Sequence, residues 1–346
     1  MNALTASLPT SLLNNLRSLV AGLGDNPISA LLPTIPGPVR FLILATFILH
    51  SPSWPFTWHI RILSSALKPK LRELRMGRLN YINDWKRDLE KKGGMKNYRY
   101  RYERLAWFDD CDYRLHLSNS AYPKNADPVE LYFGQNMFAP LLTSNAFLAM
   151  GARHYNFFKE IPVGARYVIE TRCGGWDEKW LYLVSEFIIY PKKRSPKSKP
   201  SSNGTKSPNS GSGSGTATPM INGDLSKSRI EEIKKSWMAK RTHRDDGGVV
   251  CCLGVSELCI KIGRITIPPR IALWATLQHP SKTEQDRAKA ILMSKDHGVS
   301  FLKGGWRDEP NAATLGNDIY CDNAEDNWVK EGNESMEMVV RGLSGF

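Results

Sequence analysis

The chain has 346 residues, 41% hydrophobic and 23% charged, with a net charge of +13. That balance suits a globular protein with a sizeable core. Six cysteines in so long a chain exclude a disulfide scaffold, and the lack of any Cys-x-x-Cys pair argues against a structural zinc site. The basic surplus favours an anionic partner, but much of it lies in two stretches, 192–206 and 61–78, outside the expected core; with no zinc finger or RNP-type aromatic motif, nucleic acid is not expected as a partner.

In chain order, residues 11–23 predict an amphipathic helix capped by Ser11, with Leu12, Leu13, Leu16, Leu19, Val20 and Leu23 at helical spacing. It reads equally as a membrane-surface helix or as one packed on the protein. Residues 41–49 form an uncharged apolar run, too short for the ~20 residues of a membrane span. With Trp54, Phe56 and Trp58 after it and many Arg and Lys beyond, residues 39–58 fit an interfacial anchor facing the cytosol; the alternative is a buried hydrophobic hairpin. Residues 1–60 are thus an N-terminal amphipathic and apolar segment. Residues 61–96 predict a charged helical connector with a solvated face.

Residues 97–108 predict a strand from the alternation of Tyr98, Tyr100 and Tyr102 with polar residues. A helix is expected from Asp127, with Asp127 as cap, Pro128 in the first turn and Glu130 completing a capping box. Its apolar residues run on through Phe138, Leu141 and Phe147 to Met150, and Pro140 should kink or divide it. So apolar a helix must be wrapped by sheet. Residues 166–172 and 180–190 predict a hairpin turning at 174–177. Residues 191–225 read as a disordered insertion rich in Ser, Gly, Lys and Pro, and 226–243 as a polar helix. A strand at 249–262, a short one at 264–267, a helix at 281–297 and a polar tail at 306–346 complete the chain. The order implies an α+β domain over 97–305, an antiparallel sheet with one helix buried against it.

Between the first strand and that helix runs Asp110-Cys111-Asp112-Tyr113-Arg114-Leu115-His116-Leu117-Ser118-Asn119-Ser120-Ala121-Tyr122. It resembles the hotdog thioesterase signature D-x-D-x-x-G-H-x-N-N-x-x-Y, with Asp110, Asp112, His116, Asn119 and Tyr122 on matching positions. Leu115 replaces the usual glycine and Ser118 the first asparagine, as in the branch of thioesterase superfamily member 6 and its fungal relatives. The resemblance covers roughly residues 97–270. It implies a hotdog fold, pairing into a homodimer, and thioester hydrolysis with Asp112 as nucleophile or base and Asp110 shaping the turn. It also implies, through the fungal relatives, a place in secondary-metabolite biosynthesis.

The residues support that chemistry in their own right. No G-x-S-x-G elbow is present, so a carboxylate must activate water or attack the thioester. Asp112, His116 and Asn119 are the catalytic candidates. Asp110, Tyr122, Val129 and Glu130 are expected near the substrate or oxyanion, because the helix start near Pro128 offers unpaired N–H groups. Asn119 also reads as a turn former and Tyr122 as packing. Crowding of Asp109, Asp110 and Asp112 should raise the pKa of at least one. Lys261, Arg264 and Arg270 are candidates for holding substrate phosphate. No cofactor or metal is expected. The partner is an acyl-CoA or an acyl carrier protein, in the cytoplasm, with membrane contact through 39–58 as the further expectation. The alternative is a membrane-tethered hotdog protein that binds acyl groups without hydrolysing them.

Overall fold

Along β1 (Arg99–Leu105) the sequence Arg-Tyr-Arg-Tyr-Glu-Arg-Leu alternates between exposed and half-buried, as a strand covered on one face requires. The computed structural model describes residues 35–51, 54–191, 242–320, 329–330 and 332–333. The helix expected at 11–23, the polar helix at 226–243, nearly all of the 191–225 insertion and most of the tail after 320 lie outside the described residues. The chain divides into two units, Met1–Trp58 and His59–Phe346. The first contains α1 (Gly37–Leu49), which buries no side chain.

α2 (Thr57–Met76), all but its first two residues in the second unit, and α3 (Arg78–Lys91) precede β1. After the loop that follows β1 come α4 (Ala121–Thr143), β2 (Ala146–Phe157), β3 (Arg166–Trp176), β4 (Leu181–Ile189), β5 (Val249–Ile262), the short β6 (Ile265–Ile267), α5 (Pro269–Ala275) and α6 (Lys282–Leu292). The strands form one antiparallel sheet in the order β1-β3-β4-β5-β2, and β6 pairs with the end of β5. α4 packs along one face of it. Its first half contributes Ala121, Tyr122, Ala126 and Val129 to a cluster with Tyr167, Ile169, Phe187 and Cys252. Its second half contributes Phe133, Met137, Phe138 and Leu141 to another, with Cys173, Leu183, Leu258 and Ile260. A sheet wrapped on a central helix is the hotdog arrangement.

Between the two clusters lies a polar layer. Glu130 on α4 accepts hydrogen bonds from Arg153 of β2 (2.6 Å) and Ser256 of β5 (2.6 Å). Arg153 also donates to Asp127 (2.9 Å) and to the Pro123 carbonyl (3.1 Å). Thr171 and Ser185 pair across β3 and β4 at 2.7 Å. Burial pushes the Glu130 carboxyl up against the pull of the Arg153 guanidinium and the Ser256 hydroxyl.

Several expectations shift. The central helix starts at Ala121 rather than near Asp127, so Asp127 and Glu130 sit inside it and form no cap. It ends at Thr143, and Asn145 takes a left-handed φ of 69° before the chain enters β2. The apolar residues from Ala146 to Met150 thus belong to an unforeseen edge strand. The break expected at Pro140 is present: Phe138 leaves helical geometry (φ −128°, ψ 21°) two residues before it. Gly134 lets this helix approach β2, since a Cβ there would stand 2.3 Å from Leu148 Cδ1. The connector is less solvated than expected, because α3 buries Tyr81, Ile82, Trp85 and Leu89 and donates from Trp85 Nε1 to the Asn136 carbonyl at 2.8 Å. The tail is less polar in use, since Leu315 and Ile319 join the core.

Candidate active site

The loop after β1 folds back on itself. Asp112 N–H donates to the His116 carbonyl (2.9 Å), and Leu115 N–H to the Asp112 carbonyl (3.0 Å). The turn requires φ +61° at Leu115, the position where the related signature carries glycine. Asp112 Oδ1 braces it by accepting from the N–H groups of Arg114 (2.9 Å) and His116 (3.4 Å), an Asx-type turn. Residues 115–117 then pair with the segment after β2: Leu117 N–H reaches the Ile161 carbonyl at 2.7 Å, and Val163 N–H the Leu115 carbonyl at 2.8 Å.

That pairing opens a cleft of about 490 Å³ lined by Asp112, Arg114, His116, Ser118, Asn119 and Tyr122 from the loop and helix start, and by Phe157, Phe158, Lys159 and Glu160 from the end of β2. His116 Nδ1 lies 3.2 Å from Glu160 Oε2, and Arg114 lies 3.4 Å from Glu160 Oε1. Tyr122 stacks edge-on with Phe187 (4.8 Å) and Phe157 (5.0 Å), and its burial pushes the phenol pKa up. The Ala121 N–H, first in α4, is taken by the Ser118 carbonyl at 2.8 Å, and Pro123, third in the helix, has no N–H to offer.

The structure therefore brings Asp112, His116, Asn119 and Tyr122 to one cleft and takes Asp110, Val129 and Glu130 away from it. Asp110 faces inward, 4% exposed. It accepts from Lys124 (2.7 Å), Asn125 (3.2 Å) and Arg104 (3.3 Å), and its carbonyl takes the Ser118 N–H at 2.8 Å. Burial alone raises its pKa, but the hydrogen bonds from Lys124 and Asn125 and the charges of Lys124 and Arg104 outweigh it and hold the carboxyl below its ordinary range. The rise expected from crowding is thus reversed at Asp110 by these cations. Val129 is wholly buried and Glu130 is bound to Arg153, so neither borders the oxyanion position; that expectation depended on a helix starting near Pro128.

The basic candidates move too. Lys261 pairs with Phe147, whereas the cleft lies by Phe157, opposite Cys252. Nine residues of β5 separate the two ends, about 30 Å of strand. Arg264 lies beyond Lys261, in the β5–β6 turn. Arg270 donates to the Ala312 and Leu315 carbonyls (3.1 and 2.6 Å), away from the cleft. The cations at the cleft are Arg114 and Lys159. Nothing near 159 in the sequence marks Lys159 and Glu160 as site residues, because only the pairing of the loop with 161–163 brings them in.

Residues 106–195 match the family model of the thioesterase-like superfamily. The match covers about a quarter of the chain and includes the 112–122 loop, α4, β2, β3 and β4. It is similar to a probable thioesterase of Saccharomyces cerevisiae, 31% identical over 83 residues, covering 23% of this chain and 36% of that protein. It is 29% identical over 100 residues to the thioesterase lcsJ of Purpureocillium lilacinum (23% and 32% covered), and 24% identical over 169 residues to a probable thioesterase of Emericella nidulans (41% and 51% covered). The chain spans between about a third and a half of the length of these relatives. Among solved structures it is similar to the probable thioesterase YbaW of Escherichia coli, at a TM-score of 0.32 and 9% identity over 54% of this chain and 96% of that one.

Proposed function

We propose that the cleft hydrolyses an acyl thioester borne by coenzyme A or an acyl carrier protein, with Asp112 as nucleophile or general base. The observation that carries this reading is the convergence of Asp112, His116 and Asn119 with Arg114 and Lys159 on one cleft beside the start of α4. Both hydrogen bonds that brace Asp112 go to Oδ1, which leaves Oδ2 for water or substrate. As a base, Oδ2 takes a proton from water as the water oxygen attacks the thioester carbon. As a nucleophile, it forms an anhydride that water then opens. In either case the C–S bond breaks and the thiolate collects a proton, for which His116, held by Glu160, is placed. The positive end of the α4 dipole, which borders the cleft at Tyr122, suits the developing oxyanion. Arg114 and Lys159 suit a phosphate-bearing carrier.

The alternative of an acyl binder without turnover rests on the replacement of the signature's glycine by Leu115 and of its first asparagine by Ser118. At Leu115 the turn keeps a left-handed φ of 61°, which supports a working site. A homodimer is part of the proposal. β2 is an edge strand with Phe147, Met150 and Phe157 exposed, and exposed apolar edges favour pairing. Membrane contact through residues 39–58 is a further part: α1 exposes Phe41, Leu42, Ile43, Leu44, Phe47 and Ile48. At 13 residues it is about 20 Å long, and among the described residues no helix is long and apolar enough to cross a membrane. Release of an intermediate in fungal secondary-metabolite biosynthesis rests on family resemblance.

The test is thiol release from a panel of short, long and aromatic acyl thioesters by the full-length protein, with binding of the matching non-hydrolysable thioethers measured in parallel. Turnover of at least one thioester is expected. Tight thioether binding with no thiol release from any ester, CoA-borne or carrier-borne, overturns hydrolysis in favour of the binder.

A further inference from the structure

α2 runs from Thr57 to Met76 and is expected to be a solvated connector, yet it exposes a row of large apolar side chains. Ile60, Leu63, Leu67, Leu71 and Leu74 are 65%, 66%, 52%, 53% and 81% exposed. Their spacing of 3, 4, 4 and 3 residues places all five within an arc of about 80° on a helix turning 100° per residue. The face that meets the domain lies opposite. There Ser65 is fully buried and accepts from Gln135 of α4 at 3.4 Å, and Ile62, Pro69 and Met76 are half-buried. The leucine stripe is therefore turned away from the protein that holds the helix. Scattered apolar side chains on a surface are ordinary, but a continuous stripe of five is the mark of an interaction face.

The charge on this helix distinguishes the occupant. Arg61, Lys68, Arg72 and Arg75 flank one side of the stripe and Lys70 the other, against a single acid, Glu73. Glu73 turns inward to Arg78 at 2.5 Å, Lys70 donates to Asn145 at 3.0 Å, and Arg72 is paired with Asp84 of α3, which leaves Arg61, Lys68 and Arg75 as the cations beside the stripe. A second copy seated on the stripe would set these cations against their own equivalents, which disfavours a helix pair. An anionic lipid surface takes the leucines into its acyl boundary and the cations at its headgroups.

We propose that α2 docks the domain on an anionic membrane surface, with its leucine stripe inserted and Arg61, Lys68 and Arg75 at the headgroups. The face is built by α2 alone and is separate from the cleft, so it stands whether or not the thioesterase reading does. The stripe is also distinct from the apolar run at 39–58, since it begins at Ile60 and belongs to an amphipathic helix flanked by cations.

The experiment is co-flotation of the full-length protein with phosphatidylcholine vesicles, with and without phosphatidylserine. It is repeated on Leu63→Glu/Leu67→Glu/Leu71→Glu and on Arg61→Gln/Lys68→Gln/Arg75→Gln. All six positions are solvent-facing or half-buried, and circular dichroism melts check that folding is unchanged. The wild type is expected to float with the serine-containing vesicles. The leucine variant should bind them at least about tenfold more weakly, and the charge variant should lose its preference for them. Three results overturn the proposal. One is a leucine variant that floats like the wild type, which leaves the anchor to other segments. Another is equal binding of the wild type to neutral vesicles. The last is a leucine variant that changes only the oligomeric state in sedimentation, which makes the stripe a seam between copies.

Discussion

At Leu115 the backbone turns through φ +61°, a conformation that costs a residue with a Cβ roughly 1 kcal/mol. The side chain is 56% exposed, so little burial offsets that cost. Leu115→Gly should leave stability unchanged or raise it by up to about 0.5 kcal/mol, because relief of strain is partly cancelled by the greater freedom of glycine in the unfolded chain. Leu115→Val, with its branched Cβ, should lose about 1–2 kcal/mol. Urea melts of the two variants check this; a glycine variant clearly less stable than the wild type contradicts the strain. Asp110 gives a pH prediction. Its folded pKa is depressed by Lys124, Asn125 and Arg104. The carboxylate therefore adds stability above the unfolded pKa of about 3.9, and that stability fades as pH falls through the lower folded value. Asp110→Asn should cost about 2 kcal/mol at pH 7, and the gap to the wild type should close below about pH 4. A gap that is constant from pH 7 to pH 3 argues against an ionised Asp110. The residue-level reading of the motif was informative because turn chemistry is local: Asp112, His116, Asn119 and Tyr122 come to one cleft. The inward turn of Asp110 was not legible, since Lys124 and Asn125 become its partners only when the helix begins at Ala121.

At the scale of elements, the central helix carries a polar layer between two apolar clusters, with Arg153 joining Glu130, Asp127 and the Pro123 carbonyl. Removing one member of a buried ion pair leaves the other uncompensated, at about 3–5 kcal/mol. Arg153→Met should lose stability on that scale, and Arg153→Met/Glu130→Leu should recover most of it. Denaturant unfolding of the single and double variants measures the coupling, and an additive double variant contradicts a paired layer. Because Arg153 holds the first turns of α4, this layer also fixes the helix start that borders the cleft. The buried helix was legible from its apolar content, and so were β3, β4 and β5 from their β-branched and aromatic runs. Its ends were not. The sequence around Asp127, Pro128 and Glu130 has every local mark of a helix start, yet tertiary packing of Ala121, Tyr122 and Ala126 carries the helix six residues further back. The apolar run into Met150 hid β2, whose separation from the helix rests on a single left-handed Asn145.

For the whole molecule, the strand order β1-β3-β4-β5-β2 follows from the pairing of distant segments, and it alone brings Phe157, Lys159 and Glu160 to the 112–122 loop. A sequence read element by element gives the α+β class and the helix-in-sheet arrangement, but not the second wall of the cleft. The same pairing predicts that Glu160→Gln, by loosening His116 and Arg114, lowers turnover more than it lowers stability, since Glu160 is largely solvent-facing. Equal losses in both would make it a purely structural residue. The most direct test of the central claim is steady-state thiol release by the full-length Asp112→Asn protein, on whichever thioester the wild type turns over, with its thermal melt recorded alongside. The account predicts a folded protein with turnover reduced by at least about a hundredfold. A folded Asp112→Asn protein that keeps wild-type turnover places the chemistry on another residue and contradicts the assignment of this cleft.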